Sequence, residues 1–155
     1  MNCTRLILTL AALSGSAFAH PASQAIRVPG GSYSQVTPQT LNAQLKSKDF
    51  LLINVHIPYE GELQDTDLFL PFDQMNATPV LPRAKNAEIV VYCRSGSMSA
   101  LAVRALVRRG YTNVRELRGG MNAWTAAGFE LKSLPEASFV RPDGFPAISF
   151  SGKGP

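Results

Sequence analysis

Cysteine is scarce in this chain, with only Cys3 and Cys93 among 155 residues. Cys3 sits in an N-terminal segment expected to be removed, so an internal disulfide framework is excluded and a single thiol remains. Gly96 stands where the second cysteine of a Cys-x-x-Cys would fall, which excludes thioredoxin-like dithiol chemistry. Blocks of Lys or Arg are also missing. The net charge of +4 is dispersed, and its densest group, Arg104, Arg108 and Arg109, falls on the expected wet face of a helix, so nucleic-acid binding is not indicated. Beyond residue 19 no apolar run approaches the ~20 residues that a membrane-spanning helix needs, and no membrane insertion of the mature chain is expected. The acidic residues between 60 and 73 lack the order of a calcium loop, and neither a metal nor a cofactor is expected.

What is present begins with an export signal. Arg5, the apolar stretch from Leu6 to Leu13 and Ala17-Phe18-Ala19 have the order of a secretory signal peptide over residues 1–19, with cleavage before His20. The expected product is an exported chain of about 136 residues, periplasmic if the source has two membranes, and long enough for one domain. Residues 20–32 read as an irregular lead-in with a short edge strand at Ile26 to Val28. Thr37-Pro38 has the signature of a capped helix start, with Leu41 and Leu45 on one face and an end near Ser47. Phe50 to Val55, broken only by Asn54, reads as a strand covered on both faces.

From His56 to Lys85 prolines and acids break the periodicity, predicting a long loop that forms an acidic, solvated lid or rim. Glu88 to Tyr92 is the clearest core strand. A helix over Ser97–Arg109 is expected to turn Met98, Leu101, Ala102, Ala105 and Leu106 inward and to end at Gly110. Asn113 to Leu117 should return as a strand. Gly119-Gly120 then turns into a short helix carrying Met121, Ala123 and Trp124, closed by Gly128. This alternation predicts an α/β fold, a mostly parallel central sheet with helices on both faces. Residues 132–155 form a C-terminal extension whose Phe139, Phe145, Ile148 and Phe150 indicate partial packing on the domain.

Cys93 opens the run Cys93-Arg94-Ser95-Gly96-Ser97-Met98-Ser99 between the core strand and the helix. Gly96 and the small Ser95 and Ser97 let successive backbone N–H groups converge on one centre, and the helix adds its positive end. Such a cradle favours a thiolate, and a fall from ~8.5 to around 6 or 7 would ionise most of the thiol at neutral pH. A thiolate so held can accept sulfane sulfur as a persulfide and pass it to a second nucleophile. Arg94 is expected to face the anion, or else to pair with acids of the long loop. His56 reads as a satisfied strand-end residue, Arg118 as a structural salt-bridge partner and Trp124 as core. Met98 fits either the pocket mouth or core packing, and Tyr59 and Glu60 fall near the expected entrance.

The stretches IVVYCRSGSMSALAVRAL and GYTNVRELRGGMNAW resemble a single-domain rhodanese, a thiosulfate-type sulfurtransferase. The resemblance spans roughly 33–131 and is most specific over 89–124. It implies a rhodanese-like fold, with Cys93 as the persulfide cysteine and Arg94, Ser95, Gly96, Ser97 and Met98 as the loop that binds substrate. Gly119, Gly120 and Trp124 match the family's structural Gly-Gly and Trp. Two departures stand out: Met98 replaces the usual last-loop arginine, and Asn54-Val55-His56 replaces the usual Asp-Val-Arg. A neutral, polarizable methionine suits a bulkier or less anionic donor than thiosulfate. Related phosphatases need Cys-x5-Arg, and Ser99 occupies that arginine's place. The expected activity is therefore sulfur transfer from thiosulfate or a related thiosulfonate through a Cys93 persulfide. The expected partners are a small anionic sulfur donor and a thiophilic acceptor, which can be a protein. The alternative is a persulfide carrier or sulfur-anion-binding module that serves a partner protein without turnover.

Overall fold

The computed structural model describes residues 25–133. The signal segment 1–19 and the aromatic residues of the C-terminal extension lie outside the described residues. The chain runs through β1 (Ala25–Val28), β2 (Gly31–Val36), α1 (Pro38–Leu45), β3 (Leu51–Asn54), β4 (Leu68–Phe69), β5 (Ile89–Tyr92), α2 (Ser97–Arg108), β6 (Val114–Leu117) and α3 (Gly120–Ala126). The six strands form one sheet in the order β1-β2-β6-β5-β3-β4. Only β1 and β2 pair antiparallel; every other neighbour is parallel. β5 is buried along its whole length in the sheet's interior, as its unbroken apolar run requires.

Each face of the sheet has its own core. One face packs Ile89, Val91, Cys93 and Val114 against Ala102, Val103 and Leu106 of α2. The other packs Val90, Tyr92 and Leu117 against Leu41 of α1 and Met121 and Trp124 of α3. The strand alternation divides these sets, since neighbouring residues of β5 and β6 point to opposite faces. No helix among the described residues is long and apolar enough to cross a membrane.

Three expectations are refined. The short edge strand expected at Ile26 to Val28 is present as β1, but the rest of the described lead-in is not irregular: β1 and β2 form a hairpin, with Val28 opposite Gly31 and a left-handed Gly30 (φ 95°) in the turn. The domain boundary expected at residue 33 therefore falls inside a strand. Ser32, Ser34 and Gln35 give β2 a weak apolar signal, and its parallel pairing with β6 is a distant contact. In α2, Leu101 is 49% exposed, whereas Val103 and Val107 are buried. The buried face is Ser99, Ala102, Val103, Ala105, Leu106 and Val107, so Ala102, Ala105 and Leu106 turn inward as expected, with a polar residue at the head of the face. The acidic loop, finally, keeps Glu60, Asp65, Asp67 and Asp73 exposed as a solvated rim, but it is also stapled to the domain. Asp67 accepts the Leu52 N–H at 2.7 Å and the Lys48 ammonium at 2.6 Å. Glu62 and Lys132 exchange two backbone bonds of 2.7 Å.

Candidate active site

Cys93 leaves the C-terminal end of β5, 1% exposed, as the last residue of its apolar run. Behind it the chain must reverse at once to start α2. Gly96 makes that reversal with a left-handed φ of 106°, which a side chain would strain. The turn brings the Gly96 N–H to Cys93 Sγ at 3.1 Å. Ser97 and Met98 follow as the first residues of α2, whose opening N–H groups have no intrahelical acceptors. The helix's positive end thus sits beside the sulfur.

The loop is fixed from behind by α3. Met121 and Asn122 donate their N–H groups to the carbonyls of Cys93 and Arg94, both at 2.9 Å. Contact this close requires Gly120, because a Cβ there would lie 2.2 Å from Cys93 O and 2.8 Å from the Arg94 carbonyl carbon. The Gly-Gly seen in the sequence therefore lets one helix terminus buttress another element's loop. Trp124 anchors α3 in the core, 2% exposed, and its Nε1–H donates to Glu130 O at 3.0 Å.

The expected loop residues divide. Gly96 touches the sulfur. Met98 is half-buried and packs on the core cluster that contains Cys93. Ser95 and Ser97 are exposed, with their hydroxyls 3.4 Å apart. Arg94 is exposed, and its Nη1 donates to Glu60 Oε1 at 2.9 Å. This is the ion pair with the acids of the long loop that the sequence offers as the alternative to facing an anion.

His56 is not satisfied by hydrogen bonds as expected. Its Nε2 lies 3.1 Å from Glu60 Oε2, close enough for an ion pair but misaligned for a hydrogen bond, and Nδ1 has no partner. Asn54, the residue that interrupts β3, holds this corner together. It accepts the His56 N–H at 3.0 Å and donates to Gly61 O at 2.9 Å. Arg118 is exposed and makes no ion pair among the described residues; its backbone N–H donates to Val36 O at 3.0 Å.

Two residues absent from the expected site lie directly against it. Ser99 Oγ is 3.5 Å from Cys93 Sγ, and it donates to Glu116 Oε1 at 2.7 Å. Glu116 is 2% exposed, and its other oxygen accepts Gln35 Nε2 at 3.0 Å. The alternation of β6 carried a signal for this, since Glu116 shares the face of Val114, toward α2. A separate groove of about 630 Å³, lined by Leu68, Phe69, Ala77, Pro79 and Val80 among others, shares no residue with the Cys93 loop. Among the described residues no three His, Cys, Asp or Glu side chains come together to hold a metal ion.

The arrangement is a buried thiol beside a converging amide, a helix N-terminus and a buried carboxyl, suited to nucleophilic attack and to holding a sulfur anion. The profile of the rhodanese-like domain matches residues 37–127. A sulfurtransferase of Allochromatium vinosum is 33% identical over 106 residues, spanning 63% of this chain and 94% of that protein. The adenylyltransferase and sulfurtransferase UBA4 of Meyerozyma guilliermondii is 34% identical over 70 residues, 45% of this chain and 15% of that protein. Among solved structures, a rhodanese-like domain protein from Staphylococcus aureus gives a TM-score of 0.52 at 28% identity, covering 64% of this chain and 98% of its own. A rhodanese-related protein from Thermoplasma volcanium gives 0.53 at 23% identity, covering 63% and 95%, a likeness of fold alone.

Proposed function

This chain belongs to the rhodanese-like domain family, and from that premise we propose that it is a sulfurtransferase working through a persulfide on Cys93. The donor is thiosulfate or a related thiosulfonate, and the acceptor is a thiophile. Export by residues 1–19 belongs to the same proposal. The observation that carries it is the 3.1 Å approach of the Gly96 N–H to Cys93 Sγ, in a loop whose carbonyls are pinned by α3. An amide so placed stabilises negative charge on the cysteine sulfur before attack and after the persulfide is discharged. In the first half-reaction the Cys93 thiolate attacks the donor's sulfane sulfur. A new S–S bond forms, the donor's own bond to that sulfur breaks, and sulfite or a sulfinate leaves with the electron pair. In the second, the acceptor attacks the outer sulfur and the thiolate returns.

The test is peptide-resolved mass after exposure to thiosulfate and to an organic thiosulfonate, followed by cyanide. Cys93 should gain one sulfur and lose it to cyanide, and Cys93→Ser should turn over less than about a hundredth as fast in a folded protein. A mutant that kept its turnover would overturn covalent catalysis at Cys93. Sulfur uptake without turnover would instead favour a carrier, a reading to which the Arg94–Glu60 pair lends support, because it leaves that guanidinium engaged away from a small anion.

A further inference from the structure

Glu116 is a carboxyl in the middle of a core strand, and nothing in the proposed sulfur transfer yet uses it. A buried carboxyl is costly unless it is well bonded. Its partners here are neutral donors: the Ser99 hydroxyl at 2.7 Å and the Gln35 amide at 3.0 Å. The Tyr33 phenol lies close enough to feel it: its pKa is raised first by burial and then by the Glu116 charge, with Arg104 acting on the phenol in the opposite sense. No salt bridge among the described residues reaches Glu116. The carboxyl lies close beneath the cradle, since a Cβ on Gly96 would come within 3.8 Å of Glu116 Oε1. Tyr33 and Gln35 face it from β2, Ser99 from α2, and Cys93 through Ser99 from the end of β5, while Arg104 of α2 acts on the Tyr33 phenol.

We propose that Glu116 acts as a positioning residue for the Cys93 proton: through the Ser99 hydroxyl, thiol and carboxyl share one proton along the line Sγ, Oγ, Oε1. The line is 3.5 Å and 2.7 Å in its two steps. The S–H bond of Cys93 breaks as its proton passes to Ser99 Oγ, while the proton of Ser99 passes to Glu116 Oε1. One thiol and one carboxylate become one thiolate and one carboxylic acid, so the buried charge is unchanged. The Gly96 N–H then faces the new anion. In turnover, where this inference rests on the persulfide reading, the proton stays on Glu116 while the sulfur is carried and returns through Ser99 to the freed thiolate. No base from solvent is needed. Two adjacent negative charges, the alternative, are disfavoured in a dry site.

The experiment follows alkylation of Cys93 by iodoacetamide across pH, read on the peptide that contains Cys93, with folding checked by thermal unfolding. A coupled pair loses its protons in two macroscopic steps, so the wild-type rate should climb in two. Glu116→Gln removes the acceptor and its charge, leaving one step that is complete at a pH lower by about one unit or more, about tenfold in thiolate at fixed pH. Ser99→Ala, which keeps both titrating groups but cuts the line, should move alkylation to higher pH. The opposite directions matter, because a loosened cradle would move both variants the same way. A single-step wild-type curve that overlays Glu116→Gln overturns the proposal, as does a common shift of the two variants. Should Glu116→Gln fail to fold, the direction of the Ser99→Ala shift decides. Sulfur uptake by wild type is measured in parallel. Uptake with unmoved profiles overturns the shared proton alone, and moved profiles without uptake overturn the sulfurtransferase reading alone.

Discussion

The carboxylate of Glu60 holds two side chains at once, accepting from Arg94 Nη1 at 2.9 Å and lying 3.1 Å from His56 Nε2. Since Arg94 directly follows the proposed nucleophile, the pair governs whether a guanidinium is available to the anionic donor proposed above. The interaction is exposed on the arginine side, so holding it is worth at most about 1 kcal/mol. Glu60→Gln should therefore release Arg94, remove a negative charge from the rim and lower KM for thiosulfate by about two- to fivefold at nearly constant kcat. Steady-state kinetics with thiosulfate check this, and an unchanged KM would remove Glu60 from donor selection. At this scale the sequence was legible where chemistry is local. Cys93 and Gly96 are three positions apart, and their bond follows from the loop itself. The Arg94–Glu60 pair spans 34 positions and the Ser99–Glu116 bond 17, so neither follows from local spacing. Ser99 was visible as the place of a phosphatase arginine, but its own bonds were not.

Among the elements, α3 has a task out of proportion to its length. Its start is fitted to the cradle through Gly120, whose φ is 57° and whose missing Cβ would strike Cys93 O at 2.2 Å. The obstacle is backbone, so no side-chain rotation relieves it. Gly120→Ala should push α3 from the loop, break the bonds from Met121 and Asn122, and lower Tm by on the order of 10 °C. Sulfur uptake by Cys93 should fall with it. Gly128→Ala is the comparison: φ is positive there too, at 85°, but nothing lies within 4 Å, so only the local strain is incurred. Melting curves for both variants check the contrast, and equal losses would refute the buttress. The periodic elements were readable because each has a strong pattern of its own: Thr37 caps α1 by accepting the Thr40 N–H at 3.2 Å, and β5 is apolar throughout. β2 and β4 were not, because one is polar and the other has two residues, and both are strands by virtue of the neighbours they pair with.

For the molecule as a whole, the long loop and the chain after α3 are joined where Glu62 meets Lys132. Burial raises the pKa of Glu62, and the Lys132 charge and a bond from Tyr59 offset only part of that. The folded protein thus holds this proton more tightly than the unfolded chain does. The consequence has a definite sign: Glu62 weakens the fold as pH rises from the ordinary carboxylate value through the raised one, and the loss is absent below both. Glu62→Gln should melt above wild type at pH 7 and level with it below about pH 4. Thermal melts at the two pH values check this; an equal difference at both would show that the carboxyl's proton is not the cause.

The sheet order carries one more consequence, for the chain as it is made. β2 lies against β6, and Gln35 reaches Glu116 across 81 positions. A polypeptide delivered from its N-terminus exposes the hairpin first and must hold it unmatched until the last strand arrives. Cys93 itself emerges before Glu116 and before Gly120, so for an interval the thiol exists with neither its carboxyl neighbour nor the helix that closes its loop. On the proposed function, reactivity is therefore conferred late, by the final stretch of the domain, and a chain cut short of that stretch carries the Cys93 thiol without the surroundings that hold it in place.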